Sequence, residues 1–510
     1  MSELTDPHRL RRPTLRVRRL GIDTYREPVV YLRADCHVCR SEGFQAQERV
    51  LVRASARTIV ATLNVLHNGL IESTDIGLSE AAFALLGAEA GEQVELAHPH
   101  ALESMSDVRR KIYGGRLDPP ALERIVRDVS AGRYTDVEIA ALVTACSGTN
   151  LDRAEIAALT RAMVDVGETL HWNVEPVLDK HSVGGLPGNR TTPIVVAIIA
   201  SCGLTMPKTS SRAITSAAGT ADVMETLAPV ELDLAAMRRV VEREGGCIVW
   251  GGAVRLSPAD DLLIRVERVL DLDSDGQMVA SVLSKKVAAG ATHVLIDMPV
   301  GPTAKVRDAA SAERLHGHLL AVGHELGMQV RVVQTDGTQP VGRGIGPALE
   351  ARDVLAVLDG DAAAPGDLRE RALTLAGGLL ECAARAEAGQ GVVLARDALA
   401  SGRARQKFAA ICEAQGGMRK PPVAPYVHGV EATRGGVIEA LDNRRLARIA
   451  KLAGAPRAAA AGVELHVRRG ARVAHGEPLF TIHAEAPGEL AYALDYVHGS
   501  EPALRIRELA

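Results

Sequence analysis

The sequence predicts an α/β protein with four domains: a β-rich amino-terminal domain, a helical module, a larger α/β domain and a carboxy-terminal β barrel-sandwich. Three patterns in the hydrophobic residues indicate this fold class. Short runs that alternate apolar and polar residues mark residues 1–100 and 426–510, a 3.6-residue period marks residues 101–172, and strand-like runs alternate with helices in residues 173–425. Parts of residues 255–290 are expected to join the helical module.

The composition is that of an ordinary globular chain. Its 510 residues correspond to about three or four domains. The 59 Lys and Arg residues against 63 Asp and Glu residues give a net charge of −4, which excludes a protein that coats nucleic acid through a basic surface. The longest apolar run, at residues 194–206, is shorter than the roughly 18 residues that a membrane span needs. Seven scattered cysteines, and a basic amino end with no apolar segment after it, lead us to expect a cytoplasmic protein without a secretory signal.

The elements of the first two domains are predicted from alternating runs and from helix caps. Strands are expected at residues 15–17, 29–32, 50–52, 59–63 and 94–96. Ser79 is a predicted N-cap for a helix over residues 79–86. In the helical module, helices are predicted to begin at Pro119, after Thr135 and at Asp152.

In the third domain, strands alternate with helices, which predicts a parallel or mixed sheet. Helices are expected at residues 194–202 and 315–326, and strands at residues 293–298 and 329–333. A ligand site in such a sheet lies beyond the carboxyl ends of the strands, in the glycine-rich loops. The proline-rich residues 421–425 are predicted to link this domain to the carboxy-terminal one.

Residues 179–193, with the sequence DKHSVGGLPGNRTTP, have the composition of an anion-binding loop. The adjacent glycines let backbone N–H groups approach an anion. Thr192 and Pro193 are a predicted N-cap and first helical residue, so the positive end of the following helix faces the loop. Together with Lys180 and Ser182, the segment is predicted to bind phosphate, and a tight turn from strand to helix is the alternative.

A second segment, residues 208–222, is dense in small hydroxyl side chains and contains the cations Lys208 and Arg212. Thr220 is predicted to cap the helix that follows, which again indicates anion binding, although a polar surface loop is the alternative. The distribution of lysine indicates that this part of the chain needs compact ammonium groups, because five of the nine lysines lie within residues 180–305 in a chain that otherwise uses arginine.

Two further segments carry charged residues. Asp260, Lys285 and Lys286 are expected to form ion pairs on a helix face. Residues 301–305 follow a predicted strand directly, so the carboxyl-end rule places Lys305 at the site, although a simple β-turn explains the segment nearly as well.

Cys36 and Cys39 form a lone C-x-x-C motif near the amino end. Because no second pair stands at zinc spacing, the motif favours a thiol-lined strand end over a metal site.

Several motifs, in one order along the chain, resemble those of the thymidine and pyrimidine-nucleoside phosphorylases. The resemblance runs from about residue 52 to the end, and the added β domain before the helical module makes it closest to the long forms, AMP phosphorylase and putative thymidine phosphorylase. The matching motifs are DKHSxGG at residues 179–185, SxR at 210–212, SRAITS at 211–216, GT at 219–220 and ASxxSKK at 280–286.

The resemblance implies phosphorolysis of an N-glycosidic bond, releasing a free base and a pentose 1-phosphate. Thymidine and phosphate would give thymine and 2-deoxyribose 1-phosphate, or AMP and phosphate would give adenine and ribose 1,5-bisphosphate. The positions that match phosphate-holding residues are Lys180, His181, Ser182, Thr192, Lys208, Ser210 and Thr220. The positions that match substrate contacts are Gly185, Ser211, Arg212, Ala213, Ile214, Thr215, Ser216, Ser281, Lys285 and Lys305. Two candidates stay open for the group that protonates the leaving base, Asp273 and His181.

One feature of the family is missing at its expected position. Thymidine phosphorylases place an arginine that grips the pyrimidine fifteen residues before the serine that matches Ser281, and here that position is Val266, with Arg265 beside it. Either the register shifts by one residue or the pyrimidine clamp is absent. Lys305 also has no counterpart in short thymidine phosphorylases. Both departures favour a substrate with a 5′-phosphate.

The resemblance implies no metal and no organic cofactor, with inorganic phosphate as a co-substrate. It also implies a homodimer or a larger homo-oligomer, with no nucleic acid or membrane as a partner. Two other classes stay open. One is an anthranilate-type phosphoribosyltransferase, which uses a Gly-Thr-Gly-Gly-Asp loop and Mg²⁺-bound pyrophosphate. The other is a non-catalytic assembly protein that docks through its terminal β domains.

Overall fold

The structure is a computed structural model that describes residues 14–25, 27–55, 57–213, 216–254, 256–270, 272 and 274–508. Contacts divide the chain into two compact units. The first unit reaches Asp107 and includes Asp128–Thr135, and the second comprises Val108–Arg127 and the chain from Asp136 onward. Within the described ranges, none of the helices has the length and apolar character needed to cross a bilayer.

The described part of the chain alternates strands and helices, as the α/β class predicts. The strands are β1 Thr14–Arg19, β2 Val29–Arg33, β3 Arg49–Arg53, β4 Thr58–Leu66, β5 Asp75–Leu78, β6 Gln93–Ala97, β7 Leu178–Ser182, β8 Met206–Ser210, β9 Gly246–Trp250, β10 His293–Val300, β11 Gln329–Asp336, β12 Gly344–Ile345, β13 Tyr426–Glu431, β14 Gly436–Leu441, β15 Gly462–Leu465, β16 Arg472–Val473, β17 Pro478–Ala484 and β18 Leu504–Arg507. The helices are α1 His37–Glu42, α2 Glu80–Leu86, α3 Ser104–Ile112, α4 Pro119–Ser130, α5 Asp136–Ala145, α6 Arg153–Asp165, α7 Thr191–Ser201, α8 Thr220–Glu225, α9 Leu234–Glu244, α10 Pro258–Leu270, α11 Asp275–Ala288, α12 Ala309–Glu325, α13 Pro347–Leu358, α14 Gly366–Cys382, α15 Gly391–Ala400, α16 Arg403–Ala414, α17 Asn443–Leu452 and α18 Pro487–Gly499.

The first unit contains a closed barrel with the strand order β1-β5-β2-β4-β3-β6. Strands β1 and β5, and β2 and β4, pair in parallel, while the other neighbours are antiparallel. Alternate residues of each strand fill the barrel, which is why the period-2 runs identified five of the six strands. The remaining strand, β5, was not predicted. Its Asp75 is fully buried and accepts hydrogen bonds from Arg16 Nε at 2.8 Å and Arg18 Nε at 2.9 Å.

The prediction of a strand end at the C-x-x-C motif is wrong. Cys36 is the N-cap residue of the short helix α1, and Cys39 lies inside that helix with its Sγ 3.4 Å from the carbonyl oxygen of Phe44. Both thiols are buried in the barrel core. Among the described residues, no group of three or more metal-binding side chains forms around them.

In the second unit, β11, β10 and β7 form a parallel sheet, and β8 and β9 form a parallel pair beside it. A bridge between Val177 and Thr205 joins the two at the start of β7 and β8. Helix α7 packs behind them and is apolar on every side, so its residues 191–200 are all buried. The predicted helices at 194–202 and 315–326 and strands at 293–298 and 329–333 are confirmed as α7, α12, β10 and β11.

The carboxy-terminal part of the second unit contains two small sheets, with the orders β12-β15-β17-β13 and β16-β14-β18. Their side chains share a core with α17 and α18. Strand β12 comes from the middle of the chain, more than a hundred residues before its partner β15. The α/β part and the carboxy-terminal part are therefore hydrogen-bonded to each other.

One predicted helix cap is confirmed and two are wrong. Ser79 accepts a hydrogen bond from the first turn of α2, as expected. Asp152, which was predicted only as the start of a helix, is the N-cap of α6. Helix α7 begins before Thr192, with Arg190 at its N-cap. Pro193 fits inside this first turn because the first helical N–H groups have no intrahelical partner. Thr220 is the first helical residue of α8, and Gly219 is its N-cap.

Candidate active site

The two predicted anion-binding segments begin on neighbouring parallel strands. Lys180, His181 and Ser182 form the carboxyl end of β7, and Lys208 and Ser210 lie on β8. Both lysines are almost completely buried, with 1% and 4% of their surfaces exposed. Strand β7 ends one sheet and β8 belongs to the neighbouring pair β8-β9, so the two segments meet at the edge of each sheet, where a bridge joins these strands.

A buried carboxylate holds two lysines together at this edge. Asp179 Oδ1 lies 3.2 Å from Lys208 Nζ, and Asp179 Oδ2 lies 2.9 Å from Lys286 Nζ. Lys286 comes from α11, and its exposed fraction is 2%. An ion pair on a helix face was expected for Lys286, but its side chain points inward and pairs with Asp179 of β7 instead.

Two more lysines adjoin this pair. Lys180 Nζ donates to Thr191 Oγ1 at 2.8 Å and lies 3.9 Å from the fully buried carboxylate of Asp297. Lys285 contacts Asp260 and donates to Ser281 Oγ at 3.1 Å, which confirms the expected ion pair. Four ammonium groups thus share three carboxylates. We call Lys180, Lys208, Lys285 and Lys286 the lysine cluster.

Burial makes the charged state of two members costly. It lowers the pKa of Lys180 to about 8 against the opposing attraction of Asp297. It also lowers the pKa of Lys286 to about 7, although Asp179 favours the ammonium form. An anion bound beside these groups would stabilise their charged forms, which is the electrostatic property a phosphate site needs.

We expect the ligand-free protein to become more stable as the pH rises from about 7 to 8. This range lies below the one in which the thiols of the unfolded chain ionise while buried Cys146, Cys247 and Cys412, whose pKa burial raises to about 12, stay protonated. Between pH 7 and 8 the folded protein releases protons from both lysines that the unfolded chain keeps, because an exposed lysine has a pKa of about 10.4. The free energy of unfolding then gains up to about 1.4 kcal/mol per pH unit for each lysine. Urea unfolding across this range measures the slope.

Lys286→Met should reduce this slope. The control Lys407→Met removes a lysine that pairs with Glu244, and it should leave the slope unchanged. Equal slopes in the Lys286→Met variant and the parent would contradict the assignment of the lowered pKa to Lys286.

His181 is predominantly neutral in this environment. Desolvation, and then the ammonium groups of the lysine cluster, lower its pKa well below the usual value. A neutral imidazole donates a hydrogen bond from one ring nitrogen but is a poor source of a full proton at neutral pH. The other candidate proton donor, Asp273, lies outside the described residues.

The glycine loop after β7 brings Lys305 to the site. Gly184 and Gly185 have φ values of 96° and 78°, in the left-handed region that favours glycine. A Cβ on Gly185 would lie 2.3 Å from the backbone nitrogen of Lys305, so only glycine allows this approach. The segment after β10 therefore packs directly on the first predicted loop, as the carboxyl-end rule suggested.

Asn189 and Asp297 are site residues that the sequence analysis missed. Asn189 Nδ2 donates to Asp297 Oδ2 at 2.8 Å and lies 3.3 Å from Ser182 Oγ. Asp297 also accepts from Thr335 Oγ1 at 2.6 Å. These contacts tie the glycine loop to β10 and β11. The one sequence signal was the aspartate at position 297, inside the apolar run that follows His293 in β10.

The second segment presents hydroxyl groups at the end of β8. Ser210 Oγ is buried without a hydrogen-bond partner, which is costly unless a ligand supplies one. The carboxylate of Asp222 accepts from the backbone N–H groups of Ala213 at 2.6 Å and Gly219 at 2.8 Å, which folds the segment back on itself. Ser216 Oγ donates to a carbonyl within the same loop. Ile214 and Thr215 lie outside the described residues.

Other predicted substrate residues have different surroundings. The Arg212 guanidinium contacts Glu225 and Glu231 and lies 4.9 Å from the ring centre of Trp250, so its charge is already paired. The neighbours of Arg212 in the chain are Ser211, which is exposed, and Ala213, which is half-buried. Thr192 is buried in the first turn of α7.

Neither of the two residues at the expected position of the pyrimidine clamp, Arg265 and Val266, presents a free guanidinium. Val266 is buried, with 6% of its surface exposed. The guanidinium of Arg265 forms an ion pair with Asp136, the first residue of α5.

Comparisons with known proteins agree with this arrangement. A glycosyl transferase family a/b domain profile matches residues 174–405, a glycosyl transferase family helical bundle domain profile matches residues 108–167, and a pyrimidine nucleoside phosphorylase C-terminal domain profile matches residues 437–501. A protein named putative thymidine phosphorylase from Polaromonas sp. is 62% identical over 100% of this chain and 98% of its own length. One with the same name from Hahella chejuensis is 60% identical over 96% of this chain and 97% of its own.

The fold is also shared with a solved enzyme of another class. Anthranilate phosphoribosyltransferase from Thermus thermophilus superposes with a TM-score of 0.52 over 60% of this chain and 98% of its own, at 23% identity. At that identity the likeness concerns the fold alone.

Proposed function

The chain belongs to the thymidine and pyrimidine-nucleoside phosphorylase family, and from this we propose that it catalyses phosphorolysis of a nucleoside 5′-monophosphate, releasing the free base and a pentose 1,5-bisphosphate. The observation that carries the proposal is the lysine cluster, in which the buried Lys180 of β7 and Lys208 of β8 meet the buried Lys286 and the half-buried Lys285 of α11. Four ammonium groups beside three carboxylates leave a positive excess where an anion can bind.

Inorganic phosphate is the proposed ligand of the two loops. Lys180 and Lys208 supply charge, and Ser210 supplies a buried hydroxyl that lacks a partner. The other proposed contacts are Ser182, Thr192 and Thr220. Bringing the phosphate dianion to a second anionic substrate costs Coulomb energy, and ammonium groups in a desolvated site offset that cost more effectively than water does.

The proposed reaction displaces the base from the sugar. A phosphate oxygen forms a bond to the anomeric carbon while the N-glycosidic bond breaks, and the bond's electron pair passes to the leaving base. The base then takes a proton, for which we propose Asp273, because His181 is predominantly neutral beside the lysine cluster. The neutral imidazole donates a hydrogen bond to the departing base. No metal or organic cofactor enters this scheme.

The preference for a 5′-phosphate rests on two places in the structure. At the expected position of the pyrimidine clamp, Val266 is buried and Arg265 pairs with Asp136. At the glycine loop, the backbone of Lys305 packs against Gly185 and brings a further lysine to the site. Ser281 and Lys285 on α11 are the proposed contacts near the sugar and the base.

A substrate panel tests this proposal. With phosphate present, AMP and CMP should release free base with a kcat/KM about 100-fold higher than adenosine, cytidine, thymidine and uridine, because a charge-assisted hydrogen bond contributes about 1.5–3 kcal/mol. Chromatography of the released base gives the rates. Lys305→Ala should remove most of the advantage of the 5′-monophosphates and leave the slow nucleoside rates unchanged. Faster release from thymidine than from any 5′-monophosphate would contradict the preference, and no release from any substrate would contradict the function.

The same assay separates the two alternative classes. A phosphoribosyltransferase of the anthranilate type needs Mg²⁺ and pyrophosphate, so EDTA should abolish its activity, whereas phosphorolysis should persist in EDTA. A non-catalytic assembly protein should show no increase in melting temperature with phosphate. We propose a homodimer as the assembled form, which light scattering on the purified protein tests.

A further inference from the structure

Arg190, which the sequence analysis left without a role, connects the two loops of the proposed phosphate site. Its guanidinium donates from Nη1 to Thr220 Oγ1 at 2.7 Å and from Nη2 to the carbonyl oxygen of Ala218 at 2.9 Å. Arg190 itself belongs to the first loop, as the N-cap residue of α7. Two hydrogen bonds from one planar group therefore fix the second loop against the first.

The contact with Thr220 also orients its hydroxyl group. A hydroxyl has one proton to donate and two lone pairs that accept. Because the Thr220 oxygen accepts from Arg190, its proton is directed away from the guanidinium, which carries only donors. That proton is then available to a phosphate oxygen bound in the site.

A buried carboxylate holds Arg190 in place. Arg190 Nε donates to Glu350 Oε2 at 2.7 Å, and the two side chains are 12% and 1% exposed. Burial raises the pKa of Glu350, and the charge of Arg190 opposes that shift. Since the carboxylate neutralises the guanidinium, Arg190 adds little net charge to the site, and its contribution is geometric.

Glu350 is itself anchored to the carboxy-terminal sheet. It lies in the first turn of α13, and its Oε1 accepts from the N–H of Gly346 at 3.2 Å. A Cβ on Gly346 would lie 2.3 Å from the carbonyl oxygen of Ala461, and the N–H of Ala348 donates to Ala459. The support of Arg190 thus extends to residues beside β15.

We propose that Arg190 is a positioning residue that sets the spacing of the two phosphate loops and orients the Thr220 hydroxyl, with Glu350 as its fixed support. The inference rests on the proposed function, because it assigns the two loops to phosphate. Lysine cannot replace arginine here, since a single ammonium group does not present the planar fork that reaches Thr220, Ala218 and Glu350 together.

Arg190→Lys tests the proposal while keeping a positive charge beside Glu350. We expect the KM for phosphate to rise about 10- to 100-fold, with the KM for the nucleotide within about twofold of the parent. The matched control is Arg331→Lys, because Arg331 also bonds a glutamate, Glu381, and a carbonyl oxygen, that of Gly378, away from the site. This control should change neither KM.

Phosphate binding is measured separately from turnover, so that failure of the inference and failure of the proposed function can be told apart. Inorganic phosphate should raise the melting temperature of the parent, and Arg190→Lys should lose most of that rise. If the parent turns over no substrate but this difference holds, the proposed function fails and the inference about the loops survives.

Two results would overturn the inference. One is an Arg190→Lys protein with the parent's KM for phosphate and the parent's melting shift. The other is an equal rise in both KM values, which a general structural role would produce. Should Arg190→Lys fail to fold, the double variant Arg190→Met with Glu350→Met removes both buried charges. It should show the same rise in the KM for phosphate, and a normal KM would overturn the inference equally.

Discussion

Lys180→Met should lower kcat/KM for phosphate by about 10²–10³-fold, the usual effect of removing one preorganised group that stabilises a developing or bound anion. The ammonium group is 1% exposed at the end of β7, so water cannot replace it. Methionine keeps the length of the side chain and leaves Asp297 bonded to Asn189 and Thr335, so the fold should remain. Initial rates at varied phosphate concentration measure the loss.

The matched control for this change is Lys407→Met. Lys407 pairs with Glu244 at 3.0 Å on a different part of the second unit. It should keep the parent's kinetic constants. If Lys180→Met folds and keeps the parent's kcat/KM for phosphate, Lys180 is not a phosphate ligand.

Asp179→Asn should reduce the free energy of unfolding by about 3–5 kcal/mol, which is the usual effect of removing the charge of one partner in a buried ion pair. Asp179 bridges Lys208 and Lys286, and all three side chains are nearly inaccessible to water. The asparagine oxygen can accept a hydrogen bond from one ammonium group. Its NH₂ group then faces the other ammonium group, and both of these groups are donors. Urea unfolding at neutral pH measures the loss.

The pH dependence of this variant checks the cause. Because Lys286 loses its carboxylate, its pKa in the folded variant should fall further below about 7. Part of the lost stability should therefore return as the pH rises from about 5 to 7, where the parent's Lys286 is still protonated and the variant's is not. Asp397→Asn is the control, since Asp397 pairs with Arg403 at the surface and should change the free energy of unfolding by less than about 1 kcal/mol. A loss below about 1 kcal/mol in Asp179→Asn would contradict the buried bridge.

The sequence predicted the part of the site that local rules govern. Its glycine and hydroxyl composition indicated two anion-binding segments containing Lys180 and Lys208, and the structure has these lysines on the adjacent strands β7 and β8. The caps at Thr192 and Thr220 were wrong by one or two residues. A helix start depends on where the loop before it is held, and here Arg190 and Asp222 hold those loops.

The remaining part of the site depends on pairings between distant segments, which no local pattern reveals. Lys286 reaches Asp179 from a helix about a hundred residues later, and Asn189 meets Asp297 across a similar separation. The pairing of β12 with β15 is another example. A single sequence shows that these residues are polar or charged, but not which of them will share one buried site.

In the proposed reaction, the lysine cluster binds inorganic phosphate as the attacking group. The sharpest test of this role uses phosphate that carries a radioactive phosphorus label. The parent protein is given labelled phosphate and AMP, and the sugar product and the free base are separated and counted. We predict one labelled pentose phosphate for each base released, and almost none of either with Lys180→Met. Release of base without label in the sugar would show that water is the attacking group and would contradict the account.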